Sequence, residues 1–95
     1  MIVAEVTITV LGESASIGRF VRLALEELKK SGLKTLPGPN STSVEASSID
    51  EILDAVKAAH LAVVNTGAKR VVTTLKIDDR HDKRATMETK LTAVN

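Results

Sequence analysis

The run Arg70-Val71-Val72-Thr73-Thr74-Leu75-Lys76-Ile77-Asp78 admits few structures. Val71, Thr73, Leu75 and Ile77 share one parity, and Arg70, Val72, Thr74, Lys76 and Asp78 share the other. A two-residue period belongs to a β-strand, whose side chains point alternately to opposite faces. One face of this strand is mostly apolar and needs a core. The other carries hydroxyl and charge, and either meets water or lines a polar site. Asp79 and Arg80 close the strand in a burst of charge.

The other elements follow from the same periodicities. Ile2, Ala4, Val6, Ile8 and Val10 form a wholly apolar face of a first strand, while Glu5, Thr7 and Thr9 lie on its reverse. Gly12 ends that strand. Ser14 and Ser16 can each cap a helix running to about Ser31, since a serine hydroxyl accepts from free N–H groups of the first turn. In this helix Ile17, Phe20, Val21, Ala24, Leu25 and Leu28 follow the helical period. Lys29 and Lys30 suit its negative end, and Gly32 its exit. Pro37 and Pro39 exclude a central strand, so a short edge strand is expected around Lys34–Leu36, then a turn. Thr42, Val44 and Ala46 alternate with Ser41, Ser43 and Glu45 in a third strand. Ser48 and Glu51 are spaced as a capping box. They open a second helix that reaches about Thr66 and closes at Gly67. In the tail, Met87, Leu91 and Val94 suit a short helix capped by Thr86; Met87, Thr89, Leu91 and Ala93 would suit a strand. The helix is preferred.

The order β-α-β-β-α-β plus a tail predicts an α+β sandwich of ferredoxin-like topology, with two helices on one face of a four-stranded antiparallel sheet. Right-handed crossovers place the first and third strands at its centre. Residues 1–95 read as one such domain. With a single aromatic residue, Phe20, the core must be built from Val, Ile, Leu and Ala. Nucleic acid is not an expected partner: the net charge is only +1, and the sheet has no aromatic stacking platform. Without cysteine there are no disulfides or thiolate metal sites. No signal peptide or membrane-length apolar run is visible, so a cytoplasmic protein is expected.

If the helices cover one face, the other collects Glu5, Thr7, Thr9, Ser41, Ser43, Glu45, Arg70, Val72, Thr74, Lys76 and Asp78. This surface is either a solvated sheet with cross-strand pairs or an oligomer interface enclosing polar pockets. Glu5 sits mid-strand, where a carboxylate needs a partner. Lys76 can supply it, or a ligand can. Asp78 can pair with Arg80 or Lys76, or accept from a ligand amino group. Thr74 shares the face with Lys76. Ser14 and Ser16 cap a helix start and could also meet an anion. His60 lies in the apolar stripe of the second helix and reads as a core-edge histidine hydrogen-bonded to a carbonyl or hydroxyl. No nucleophile–base pair and no HxxxH or HExxH spacing is present, so neither catalysis nor a metal or other cofactor is expected.

Leu11-Gly12 with Ser14-x-Ser16 ahead of Phe20-Val21, the run Gly67 to Arg80, Lys57-Ala58-Ala59-His60, and Thr86-Met87-Glu88-x-Lys90 together resemble the small thiamine-binding protein family. The resemblance covers almost the whole chain. It implies a ferredoxin-like fold, dimers or tetramers built by sheet-to-sheet packing, and non-catalytic binding of thiamine or its hydroxymethylpyrimidine part. The ligand-binding residues expected are Glu5, Thr7, Ser14, Ser16, Thr42, Thr74, Lys76 and Asp78. Two departures stand out. The family's Pro-Met-Gly-Thr stretch is here Pro39-Asn40-Ser41-Thr42, and its helical Tyr is Phe20. A different ligand, or a structural or regulatory oligomer that binds no thiamine, is the alternative these departures leave open.

Overall fold

A computed structural model of the chain describes residues 1–12 and 18–94. Its elements are β1 (Ile2–Leu11), α1 (Gly18–Lys30), β2 (Lys34–Pro37), β3 (Thr42–Ala46), α2 (Ile49–Val64), β4 (Arg70–Asp78) and α3 (Met87–Val94). The strands form one sheet in the order β2-β3-β1-β4. Every pair is antiparallel. The first and third strands are therefore central, and the ferredoxin-like topology is as expected. Ser14 and Ser16 lie outside the described residues.

The core sits between the sheet and helices α1 and α2. Ile2, Ala4, Val6 and Val10 of β1, with Val44 and Ala46 of β3, meet Phe20, Ala24 and Leu28 of α1 and Ile52, Ala55, Val56, Ala59 and Val63 of α2. The buried α1 residues recur every four positions, which keeps them on one face. Ile52 is wholly enclosed. Burying a side chain of that size is worth about 1.5–3 kcal/mol. Val71, Leu75 and Ile77 are only half-buried against this core because β4 is an edge strand.

The helix ends follow local chemistry. Ser48 Oγ accepts from Glu51 N–H at 3.2 Å. The reciprocal arm differs from a standard capping box: the Glu51 carboxylate accepts from the hydroxyls of Ser47 (2.7 Å) and Ser48 (3.1 Å). Gly32 and Gly67 follow α1 and α2 with φ of +84° and +91°, a region where a side chain would be strained. Pro37 ends β2 on the sheet edge, where a missing N–H is tolerated. Gly38 N–H then donates to Ser41 C=O at 2.8 Å to close the turn into β3.

The face opposite α1 and α2 is not wholly open, contrary to the parity reading. α3 folds back onto one end of it. There Val3 and Glu45 are 9% and 8% exposed, whereas Glu5 farther along β1 is exposed. Glu45 is held by α3 itself, its carboxylate accepting from the backbone N–H of Met87 at 2.8 Å. Thr86 caps the helix: its hydroxyl accepts from Thr89 N–H at 3.1 Å, and Thr86 N–H donates to Thr89 Oγ1 at 2.8 Å. Met87 is buried beneath the first turn. The tail is thus a helix, and it packs on its own sheet.

Candidate functional site

The antiparallel register builds the site in rungs. Val3 lies opposite Asp78, Glu5 opposite Lys76, and Thr7 opposite Thr74. On the other side of β1, Glu5 lies opposite Ser43. All these side chains share the face that carries α3, because residues directly opposite in an antiparallel pair point the same way. Glu5, Thr7, Thr74, Lys76 and Asp78 are therefore brought together as expected. Thr42 stands apart. It shares the parity of Val44 and Ala46 and so turns toward the helices, where it lines a separate crevice with Val6, Val21, Leu25 and Leu28.

Where α3 meets the sheet, a cavity of about 190 Å³ is lined by Val3, Ala4, Glu5, Ser43, Lys76, Asp78 and Lys90. A larger hollow of about 500 Å³ lies beside it, between α3 and β2, lined by Lys34, Thr35, Leu36, Met87, Glu88, Leu91 and Thr92. The smaller is the better candidate. Two carboxylates, two ammonium groups and a hydroxyl converge on it, and converging polar groups orient a ligand.

The pairing inside this cavity differs from the sequence expectation in two places. Asp78 pairs with Lys90 of α3 rather than with Arg80 or Lys76. Arg80 is engaged elsewhere, its guanidinium forking onto Asp82 at 2.5 and 2.9 Å. The hydrogen bond from Lys90, then its charge, then the nearby Arg80 and Lys76 cations hold the Asp78 carboxyl below its ordinary range. Glu5, in turn, accepts from Ser41 Oγ at 3.2 Å although Lys76 lies directly across from it. Ser41 is two residues before Ser43, Glu5's direct partner, and is a diagonal neighbour within reach of a long side chain.

Of the polar cavity residues, Ser43 lay on the face that parity assigned but was not among the expected ligand contacts, and Lys90, on α3, lay beyond strand parity. Lys90 did carry a signal: it belongs to the tail pattern Thr86-Met87-Glu88-x-Lys90. His60 meets its expectation, with Nδ1 2.6 Å from Thr73 Oγ1 on the helix-facing side of β4. Among the described residues no His, Cys, Asp or Glu cluster could hold a metal ion. No described helix is long and apolar enough to cross a membrane.

The fold and cavity define a small ferredoxin-like chain with a charged recess between its sheet and a C-terminal helix. Comparison with known proteins gives the kinship. Residues 4–95 match the family model described as thiamine-binding protein, and the chain belongs to that family. A UPF0045 protein of Methanothermobacter thermautotrophicus is 44% identical over 95 residues, covering 99% of this chain and 96% of the relative. A hypothetical protein of Methanocaldococcus jannaschii, known from a crystal structure, superposes with a TM-score of 0.90 at 46% identity, over 98% of this chain and 94% of that one. A Thermotoga maritima structure, described as that of a candidate thiamine biosynthesis/salvage protein, superposes with a TM-score of 0.85 at 26% identity, covering 99% and 98% of the two chains.

Proposed function

We propose that this protein binds thiamine, or its hydroxymethylpyrimidine moiety, without transforming it, in the cavity between the sheet and α3. It does so as one ferredoxin-like domain in the cytoplasm, within a homo-oligomer whose interface adjoins the cavity. The observation that carries this reading is the convergence of Glu5, Ser43, Lys76, Asp78 and Lys90 on one recess in a member of the thiamine-binding family. An aminopyrimidine presents an amino donor beside a ring-nitrogen acceptor. Asp78 or Glu5 can accept from the first, and Lys76, Lys90 or the Ser43 hydroxyl can donate to the second. The thiazolium ring is cationic and favours a carboxylate neighbour, which Glu5 supplies. The cavity is smaller than the roughly 300–1,000 Å³ of pockets that enclose drug-sized ligands. It suits one ring, with the remainder of the ligand lying along the Thr7–Thr74 rung or against a second subunit.

Isothermal calorimetry with thiamine and with hydroxymethylpyrimidine tests the reading. Saturable heat is expected, weakened by Asp78→Asn and, less strongly, by Thr74→Val. An intact oligomer that gives no heat with either compound would instead favour a structural or regulatory assembly. The departure at Asn40 and Ser41 supports that second reading, since Ser41 already occupies the Glu5 carboxylate.

A further inference from the structure

The segment between β4 and α3 concentrates positive charge. Its Arg80, Lys83, Arg84 and Ala85, with Thr89 and Lys90 of α3, line a recess of about 180 Å³. The whole chain carries a net charge of only +1, so this is a local accumulation rather than a general field. Two of these cations are already engaged. Arg80 directs Nε and Nη2 to the Asp82 carboxylate, and Lys90 pairs with Asp78. Lys83 and Arg84 are exposed and, among the described residues, form no ion pair. The engaged pair still has donors to give. A guanidinium carries five N–H groups and an ammonium three, which leaves Arg80 Nη1 and part of the Lys90 ammonium for a further acceptor. The segment is anchored at both ends: Asp78 closes β4 in its pair with Lys90, and Ala85 and Met87 are buried. Thr89 is fixed against Thr86, its hydroxyl donating to Thr86 C=O at 3.0 Å.

Lys90 lines both this recess and the cavity between α3 and the sheet. The two hollows meet at the Asp78–Lys90 pair, at the end of the cavity away from the Thr7–Thr74 rung. We propose, on the thiamine reading of that cavity, that the ligand is a phosphate monoester: its ring lies in the cavity and its phosphate in the basic recess. Such a group brings a charge of about −1.5 to −2 and three acceptor oxygens. Lys83 and Arg84 supply the charge to match it, and Arg80 and Lys90 their remaining donors. Thiamine and hydroxymethylpyrimidine each end in a primary alcohol, where this ester forms. With hydroxymethylpyrimidine phosphate, the pyrimidine occupies the cavity. With thiamine monophosphate, the thiazolium occupies it beside Glu5, and the pyrimidine extends along the Thr7–Thr74 rung. A nucleic acid fits less well. Single strands bind by stacking bases on aromatic rings as well as by charge, and the one aromatic here, Phe20, is buried in the core.

The test is calorimetry in phosphate-free buffer with thiamine, hydroxymethylpyrimidine and the monophosphate of each, together with amide NMR during titration with inorganic phosphate. At least one ester should bind roughly tenfold tighter than its own alcohol, and the gain should shrink as salt is added. The ester that gains identifies the ring in the cavity. In the double variant Lys83→Ala with Arg84→Ala, the ester should bind no better than its alcohol, while the alcohol binds as before. Both positions are exposed, so the fold should survive the change. Inorganic phosphate should shift the amides of residues 83–90 saturably in the unaltered protein and not in the double variant. Esters that bind no tighter than their alcohols overturn the proposal even where thiamine itself binds. So does a gain that survives the double variant. No heat with any of the four compounds would instead sink the thiamine reading of the cavity. A saturable phosphate shift confined to residues 83–90 would then keep the recess as a site for a different phosphate ester, and its absence would overturn that as well. An oligonucleotide that binds more tightly than either ester would reassign the patch to nucleic acid.

Discussion

The two faces of this sheet are built from one strand pattern, yet different forces shape them. The face toward α1 and α2 is a continuous apolar layer of Ile, Val, Ala, Leu and one Phe. Its elements are interchangeable in chemistry and specific only in shape. The face toward α3 is held by individual polar contacts: Glu45 to the Met87 N–H, Asp78 to Lys90, and Glu5 to Ser41. The first face supplies the stability of the fold. The second costs stability where it buries Glu45, and gathers charged groups in a recess beside α3. The apolar core and the charged recess thus lie on opposite sides of the same strands.

That division should be visible in the size of mutational effects. Ile52→Ala, at the centre of the apolar face, is expected to destabilise by about 2–5 kcal/mol, from lost transfer energy and a residual cavity. Urea denaturation of the purified protein measures it. Glu45→Ala removes the buried acceptor of the Met87 N–H. It should cost about 1–3 kcal/mol, the range for leaving a buried group unsatisfied. Its effect should be local as well: hydrogen exchange should show amides of α3 losing protection before those of α2. Equal loss in both helices would mean that α3 and the main core unfold as one unit and that the comparison of faces is wrong.

A smaller effect is expected from pH. The Lys90 bond holds the folded-state pKa of Asp78 below that of the unfolded chain. A depressed carboxyl contributes stability that is present above the ordinary carboxylate pKa and lost as pH falls through the lowered folded value. The docking of α3 should therefore be constant at neutral pH and loosen in acid, below roughly pH 4. The pair is exposed, so the signal belongs to α3 amide exchange rather than to global unfolding. In Lys90→Met the acid dependence of α3 exchange should flatten. An unchanged profile would show that the Asp78–Lys90 pair is not the source of the acid loosening.

Much of this was legible in the chain because alternation and helical period are local signals. Parity alone assigned Glu5, Thr7, Thr74, Lys76 and Asp78 to one face, and the register set the rungs Glu5–Lys76 and Thr7–Thr74. The cap at Ser48 and the glycine exits were readable for the same reason. The seat of α3 was not. Met87, Leu91 and Val94 state that the helix has an apolar side, but not which surface receives it. The receiving surface is made by Val3 and Glu45, which lie far away in sequence. The partners of Asp78 and Glu5 were misjudged on similar grounds. Lys90 arrives from that helix, and Ser41 reaches Glu5 diagonally across two strands, whereas sequence reasoning favours the residue directly opposite or next in line. Thr42 needed no tertiary information, since its parity with Val44 already turned it toward the helices.

Ser41 offers the finest test of the polar face. It stands where the family pattern has glycine, and its hydroxyl donates to the Glu5 carboxylate at 3.2 Å. If Glu5 contacts a cationic ligand, this bond competes with the ligand for the same oxygens. A neutral-to-charged hydrogen bond of this kind is worth on the order of 1–3 kcal/mol before solvent exposure reduces it. Ser41→Ala removes the hydroxyl without loosening the backbone, and should tighten thiamine binding by roughly two- to tenfold. Ser41→Gly should do the same while restoring the family pattern, with a slight loss of stability from the added chain freedom. Glu5→Gln should weaken binding and abolish the gain from Ser41→Ala, since a neutral amide no longer attracts the thiazolium. Calorimetry across this double-mutant cycle reads the coupling directly. Additive effects would remove Glu5 from the list of ligand contacts and leave its bond to Ser41 as a brace of the β2–β3 turn against the central strand.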